Sequence, residues 1–185
     1  MRLTAIERPK GLLMKLGYWM SRRQLGAVIS PLKVVYARSP RIARVGFGLV
    51  RAMETGLSLE PELRLLIASQ SSLLNGCGFC ADLHAAQAIQ AKIGREKWAD
   101  LSRFRESPHY DERERAALAY TEEATRQRRV EDATFETLRK HFGEQQIVEI
   151  TWLNAVGNYF NLIAMPLGLE SDGLAEIAAA QARST

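Results

Sequence analysis

Residues 64–84 read RLLIASQSSLLNGCGFCADLH, and the fold follows from how this stretch divides. After Pro61, the residues Leu63, Leu66, Ile67 and Leu74 recur at the spacing of one helical face. Asn75-Gly76 then interrupts the pattern, because glycine suits the left-handed residue that ends a helix. A second helix is predicted from Cys77 to Ile93, closed by Gly94. Working outward, LLMKLGYWM sets Leu12, Leu16, Trp19 and Met20 at helical spacing. Ser39-Pro40 opens a helix that carries Ile42, Val45, Leu49 and Met53 and ends near Gly56. Later helices are predicted over Glu112–Arg126, Asp132–Phe142 and Glu144–Met165. Only KVVYA, Lys33 to Ala37, has the β-branching of a strand, and one short strand makes no sheet. The expectation is an all-α, single-domain helical bundle. A shift of 79 residues lays LNGCGFCADLH on LNAVGNYFNLI, a faint internal two-fold repeat whose second copy lacks the reactive residues.

The chain has 185 residues, 46% of them hydrophobic and 25% charged, enough for a core without staples. No apolar run is long enough to span a bilayer, and LLMKLGYWM, cut by Lys15, is a poor signal peptide. The reading is a cytoplasmic protein with reduced thiols, in which two cysteines three residues apart serve chemistry. Charge is uneven: Met1 to Arg51 holds eleven Lys or Arg and one acid, Glu7, against fourteen bases and twenty acids in the remainder. No dense basic cluster with interleaved aromatics occurs, so neither nucleic acid nor membrane is expected as a partner. The basic part is instead expected to pack on the acidic remainder, within one subunit or between subunits. The chain divides into a basic helical segment, 1–58, a core carrying the cysteine motif, 59–169, and a tail, 170–185.

With Asn75 as cap, Cys77, Cys80 and His84 stand at i, i+3 and i+7, on one stripe of a helix. The sulfurs can then join on mild oxidation. The helix amino end favours thiolate over thiol, and a thiolate attacks a peroxide or disulfide. A second thiol resolves the sulfenic acid, and histidine can take a proton near neutrality. Three other readings fit less well. A structural zinc site wants a fourth ligand, which only His109 or His141 could supply, so no metal is expected. Plain buried cysteines would not explain the spacing. A thioredoxin-type CxxC follows a strand that is lacking here. His109, in SPHY, belongs to a surface loop, and His141 to the last turn of a helix. Trp152 and Tyr159 read as core.

The same run resembles the active-site helix pair of alkylhydroperoxidase AhpD-like proteins, within the carboxymuconolactone decarboxylase superfamily. Their pattern, N-x-C-x-x-C-x-x-x-H, is matched by Asn75, Cys77, Cys80 and His84. AALAYTEE, Ala116–Glu123, and IVEI, Ile147–Ile150, also look like the family. The resemblance implies an all-helical trimer or hexamer with no cofactor, in which Cys80 attacks peroxide and Cys77 helps deprotonate it and then resolves. Helix-end electrostatics alone nominates Cys77 as the nucleophile. The family's glutamate on the preceding helix is replaced, since this chain has Arg64 and Leu65 there. Glu62, one turn earlier, is the nearest substitute, with Asp82 and Glu149 as others.

The sequence therefore points to a thiol-dependent peroxidase or disulfide reductase with catalytic Cys80, Cys77, His84 and Glu62. Its partners would be a peroxide and a thiol or protein reductant. The alternatives are a carboxymuconolactone decarboxylase-type lyase, which needs neither cysteine, and a non-enzymatic redox sensor.

Overall fold

The computed structural model describes residues 1–183, and every regular element among them is helical. Local signals set the boundaries. Helix α1, Leu12–Leu25, ends on Gly26 in the left-handed conformation. A π-helical turn over Leu32–Tyr36 takes the place of the strand-like KVVYA. Helix α2, Pro40–Glu54, starts as expected, with the Ser39 side chain accepting from the Ile42 N–H. Helices α3, Pro61–Asn75, and α4, Gly78–Gln90, form the central pair. A short α5, Arg95–Ala99, leads to α6, Glu112–Gln127, which opens with a reciprocal Asp111–Glu114 capping box. Helices α7, Asp132–Arg139, α8, Glu144–Ala164, and α9, Leu174–Arg183, complete the described chain.

Several boundaries differ from the sequence reading. Helix α4 stops at Gln90, because Lys92 rather than Gly94 takes the left-handed position, and Ile93 N–H closes on the Ala88 carbonyl. Helix α7 ends before His141. Within the expected tail, 170–185, the described residues include α9, which packs along α4, and residues 184–185 lie outside the described residues. The two stretches of the internal echo take different forms, a helix–turn–helix in one and uninterrupted α8 in the other.

The core sits where α3 meets α6 and α8, around Leu63, Ile67, Ala117, Leu138, Ile150 and Leu153. Gly157 of α8 lets the helices approach closely, since a Cβ there would lie 3.3 Å from the Ser71 side chain. In the amino-terminal third the stripes at helical spacing do not supply the buried face. Met14 and Tyr18 point inward, whereas Leu12, Leu16, Trp19 and Met20 are exposed. On α2, Ala43 and Gly46 are buried, and Ile42 and Val45 lie outside. Met14, Tyr18, Leu32 and Tyr36 hold this segment together, and Val34 joins it to the cluster around Cys77, Phe79 and Ala164. Among the described residues, none of its basic side chains pairs with an acid beyond residue 51; its one ion pair is Lys33–Glu7.

Candidate functional site

The corner between α3 and α4 fixes both cysteines. Gly76, at φ 71°, is the left-handed residue, its N–H bonded to the Leu73 carbonyl, and Cys77 N–H closes on Ser72 O at 3.0 Å. These two bonds make a Schellman stop, in which glycine tolerates a backbone that a side chain would strain. Cys77, not Asn75, then caps α4, its Sγ accepting from the Cys80 N–H at 3.4 Å. Cys77 and Cys80 are joined as a disulfide, with Cα atoms 5.3 Å apart. Both are buried, among Phe79, Ala86, Leu174 and Ala178.

Cys80, Leu83, His84 and Gln87 form one stripe of α4, continued by Ala91 just past its end, and all five line a cavity of about 550 Å³. Its other walls are Val50 and Met53 of α2, Leu65 and Ala68 of α3, and Phe160 and Ile163 of α8. Cys77 is not among the lining residues and stands behind Cys80. Access thus separates two thiols whose helix-end electrostatics alone favours Cys77. Tyr36, from the π-helical turn, also lines the cavity although it is only 6% exposed. Its hydroxyl lies against Gly46 and makes no hydrogen bond among the described residues. Burial, with the nearby Tyr159, pushes its pKa up to about 12.

The imidazole of His84 meets Ser72 of α3, Nδ1 to Oγ, at 3.3 Å. Ser72 donates its one proton to the Ala68 carbonyl at 3.0 Å and accepts from Asn161 Nδ2 at 3.2 Å. Its oxygen is left to accept, so Nδ1 of His84 carries the hydrogen and Nε2 the lone pair. Asn161 is held in turn by Asn75 Nδ2 at 2.8 Å, and Asn75 also donates to Asn158 at 2.8 Å. Asn158 reaches Asn154 at 3.0 Å, where Ser71 and Thr125 also donate, each at 2.8 Å. A buried amide and hydroxyl chain across α3, α6 and α8 therefore sets the orientation of the imidazole. Burial depresses the His84 pKa to about 4, so the ring is neutral at pH 7.

Of the four predicted site residues, the structure groups Cys77, Cys80 and His84, and Glu62 is not with them. The Glu62 carboxylate is 2.6 Å from Lys97, which also binds Glu114, and Glu62 does not line the cavity. The other two carboxylates are occupied too. Asp82 accepts the N–H groups of Asp172, Leu174 and Ala175 at 2.9–3.0 Å, seating the start of α9. Burial alone would raise the pKa of Asp82, but these donors hold it below its ordinary value. Glu149 accepts from Ser58 at 2.9 and 2.8 Å and from Gln145 at 2.9 Å. His109 lies near Glu96 and Asp100, 3.7 and 4.0 Å away. No group of three His, Cys, Asp or Glu among the described residues is arranged to hold a metal, and no helix among them is long and apolar enough to cross a membrane.

Sequence reasoning missed Ser72, Asn161, Asn158 and Asn154. The signal was present: three asparagines at positions 154, 158 and 161 share one face of the otherwise apolar second half of α8.

Comparison with known proteins places this geometry. The profile of the carboxymuconolactone decarboxylase family matches residues 40–123. An uncharacterised protein of Escherichia coli K12, YnjA, is 29% identical over 161 residues, covering 86% of this chain and 88% of that one. A solved Agrobacterium tumefaciens protein of unknown function, a candidate antioxidant defence protein AhpD, is 32% identical with a TM-score of 0.70, covering 75% of this chain and 96% of that one. The debrominase Bmp8, solved with 2,3,4-tribromopyrrole, shares the fold at a TM-score of 0.84 and 20% identity, over 98% of this chain and 97% of that one.

Proposed function

The chain belongs to the carboxymuconolactone decarboxylase family, and from that footing we propose that it is a cofactor-free, thiol-dependent peroxidase. The observation that carries this reading is that Cys80 and His84 share the wall of one cavity while Cys77 stands behind, bonded to Cys80. In the reduced protein, the first turn of α4 stabilises the Cys80 thiolate. The Cys80 sulfur attacks the terminal oxygen of a hydroperoxide, ROOH. The S–O bond forms as the O–O bond breaks, leaving a sulfenic acid and an alkoxide. His84 Nε2 takes the thiol proton and passes it to the alkoxide, which leaves as ROH. A ring with so low a pKa does not keep that proton, which suits a shuttle. Cys77 then attacks the sulfenic sulfur, water leaves, and the disulfide closes. A dithiol reductant returns the two electrons by exchange at Cys80, the thiol on the cavity side. The resemblance to a candidate antioxidant protein supports this reading.

The test is thiol loss on adding one equivalent of cumene hydroperoxide to the reduced protein. The expected products are cumyl alcohol and an intrachain Cys77–Cys80 disulfide. Cys77→Ser should halt at the sulfenic acid, and Cys80→Ser should be inert. Turnover of a lactone acid undiminished in Cys80→Ser, without peroxide consumption, would favour the decarboxylase reading. Oxidation of wild type without turnover in the presence of a dithiol would favour a redox sensor.

The same reading includes a homo-oligomer, a trimer or hexamer. Two outward apolar stripes support it, Leu12, Leu16, Trp19 and Met20 on α1, and Ile42 and Val45 on α2. Light scattering should give a mass above that of one chain at micromolar concentration, and a monomer would sink the idea.

A further inference from the structure

We propose that the cavity is built for an organic hydroperoxide with an extended apolar body and a carboxylate, and that Arg64 receives the carboxylate. This inference rests on the peroxidase reading and names its substrate class. A hydroperoxide group needs room for two oxygens at Cys80, whereas about 550 Å³ admits a molecule the size of a typical bound ligand. Val50, Met53, Leu65, Leu83, Phe160 and Ile163 make most of that space apolar. Hydrogen peroxide has nothing to place there.

Arg64 is the one cation among the lining residues, and it is half-buried. No carboxylate pairs with it among the described residues. Its Nη1 donates to the backbone carbonyls of Met53 and Glu54, both at 2.9 Å, at the carboxyl end of α2. Its Nε is buried with no partner. The one acid in the lining, Glu54, is exposed and offers Arg64 only its carbonyl. A guanidinium can donate five hydrogen bonds and is best matched by a carboxylate. This one is anchored by a single nitrogen at the edge of an apolar chamber, with charge to spare. A carboxylate-ended chain answers both features, its anion at Arg64 and its apolar length along α2 and α8 toward Cys80.

The probes are decanoate and methyl decanoate, equal in apolar length and different in charge. Both are titrated by calorimetry into full-length Cys80→Ser protein, in which no turnover intervenes. Decanoate should bind at least tenfold more tightly than the ester. Arg64→Gln should bring its affinity down to that of the ester, while Arg64→Lys should keep part of the difference. Equal affinities in the Cys80→Ser parent overturn the proposal even where Arg64→Gln fails to fold. An acid preference that survives in a folded Arg64→Gln protein overturns it as well. A parallel measurement follows thiol loss in reduced wild type with a hydroperoxy fatty acid, its methyl ester and hydrogen peroxide, and the acid should react fastest. Decanoate binding through Arg64 without thiol loss to any peroxide would remove the peroxidase reading and leave the anion site standing. Thiol loss with no preference for the acid would do the reverse.

Discussion

Lowering the pH from 7 to 5 should destabilise the folded protein by about 2 kcal/mol through His84 alone. The folded imidazole titrates near pH 4, because burial disfavours its cation. The unfolded chain binds the same proton near pH 6.5. Below that value the unfolded state holds more protons, so stability is complete above pH 6.5 and is lost as pH falls toward 4. The full loss approaches about 3 kcal/mol, at roughly 1.4 kcal/mol for each unit between the two values. Carboxylates held below their ordinary range, such as Asp82 and Glu149, also lose stability in acid. Their loss begins near pH 4.5, below the window in which His84 dominates. The assay is urea unfolding of the oxidised protein at half-unit pH steps, for wild type and His84→Gln. The variant can differ in absolute stability, so the informative quantity is the difference in slope between pH 6.5 and 4.5. Parallel curves would show that the imidazole keeps an ordinary pKa, and would refute the depressed pKa on which the proposed proton release rests.

Glu62→Gln should leave the pH profile of Cys80 alkylation unchanged, because the carboxylate is engaged by Lys97. It should lower stability by at most about 1 kcal/mol, as for other exposed ion pairs, and a shifted alkylation profile would return Glu62 to the site. Tyr36→Phe should change unfolding free energy by less than about 0.5 kcal/mol, since no hydrogen bond is lost. Tyr120→Phe, which loses a 2.8 Å bond to Thr151, should cost about 1 kcal/mol; equal losses in the two variants would mean that the Tyr36 hydroxyl has a bonded partner.

The helix pair at the centre of the fold was legible because its signals are local. Pro61, Gly76 and the apolar spacing of Leu63, Leu66 and Ile67 act within a few residues. The triad on α4 was legible for the same reason, as i, i+3 and i+7 on one helix. What escaped depends on contacts across the chain. Asn75 looks like a cap beside a cysteine helix, yet its side chain turns to Asn158 and Asn161, more than eighty residues away. Glu62 has the right residue type and offset, but Lys97 reaches it from another element. The stripe of α1 was read correctly as a stripe, but periodicity cannot say whether an apolar face meets its own chain. Here the smaller Met14–Tyr18 face turns inward. The π-helical turn was unreadable too, since β-branched residues in a short run suit more than one conformation.

The seat that Asp82 provides for α9 bears on how the protein is made. Residues Leu174 and Ala178 of that helix cover Cys77, Phe79 and Cys80, and the Asp82 carboxylate gathers its first N–H groups. A ribosome releases α4 long before α9 exists. From the release of α4 until α9 emerges, then, the outer flank of the cysteine helix has no cover, and thiols of the surrounding solution can meet it. Products of early termination would keep the redox pair while lacking its shield.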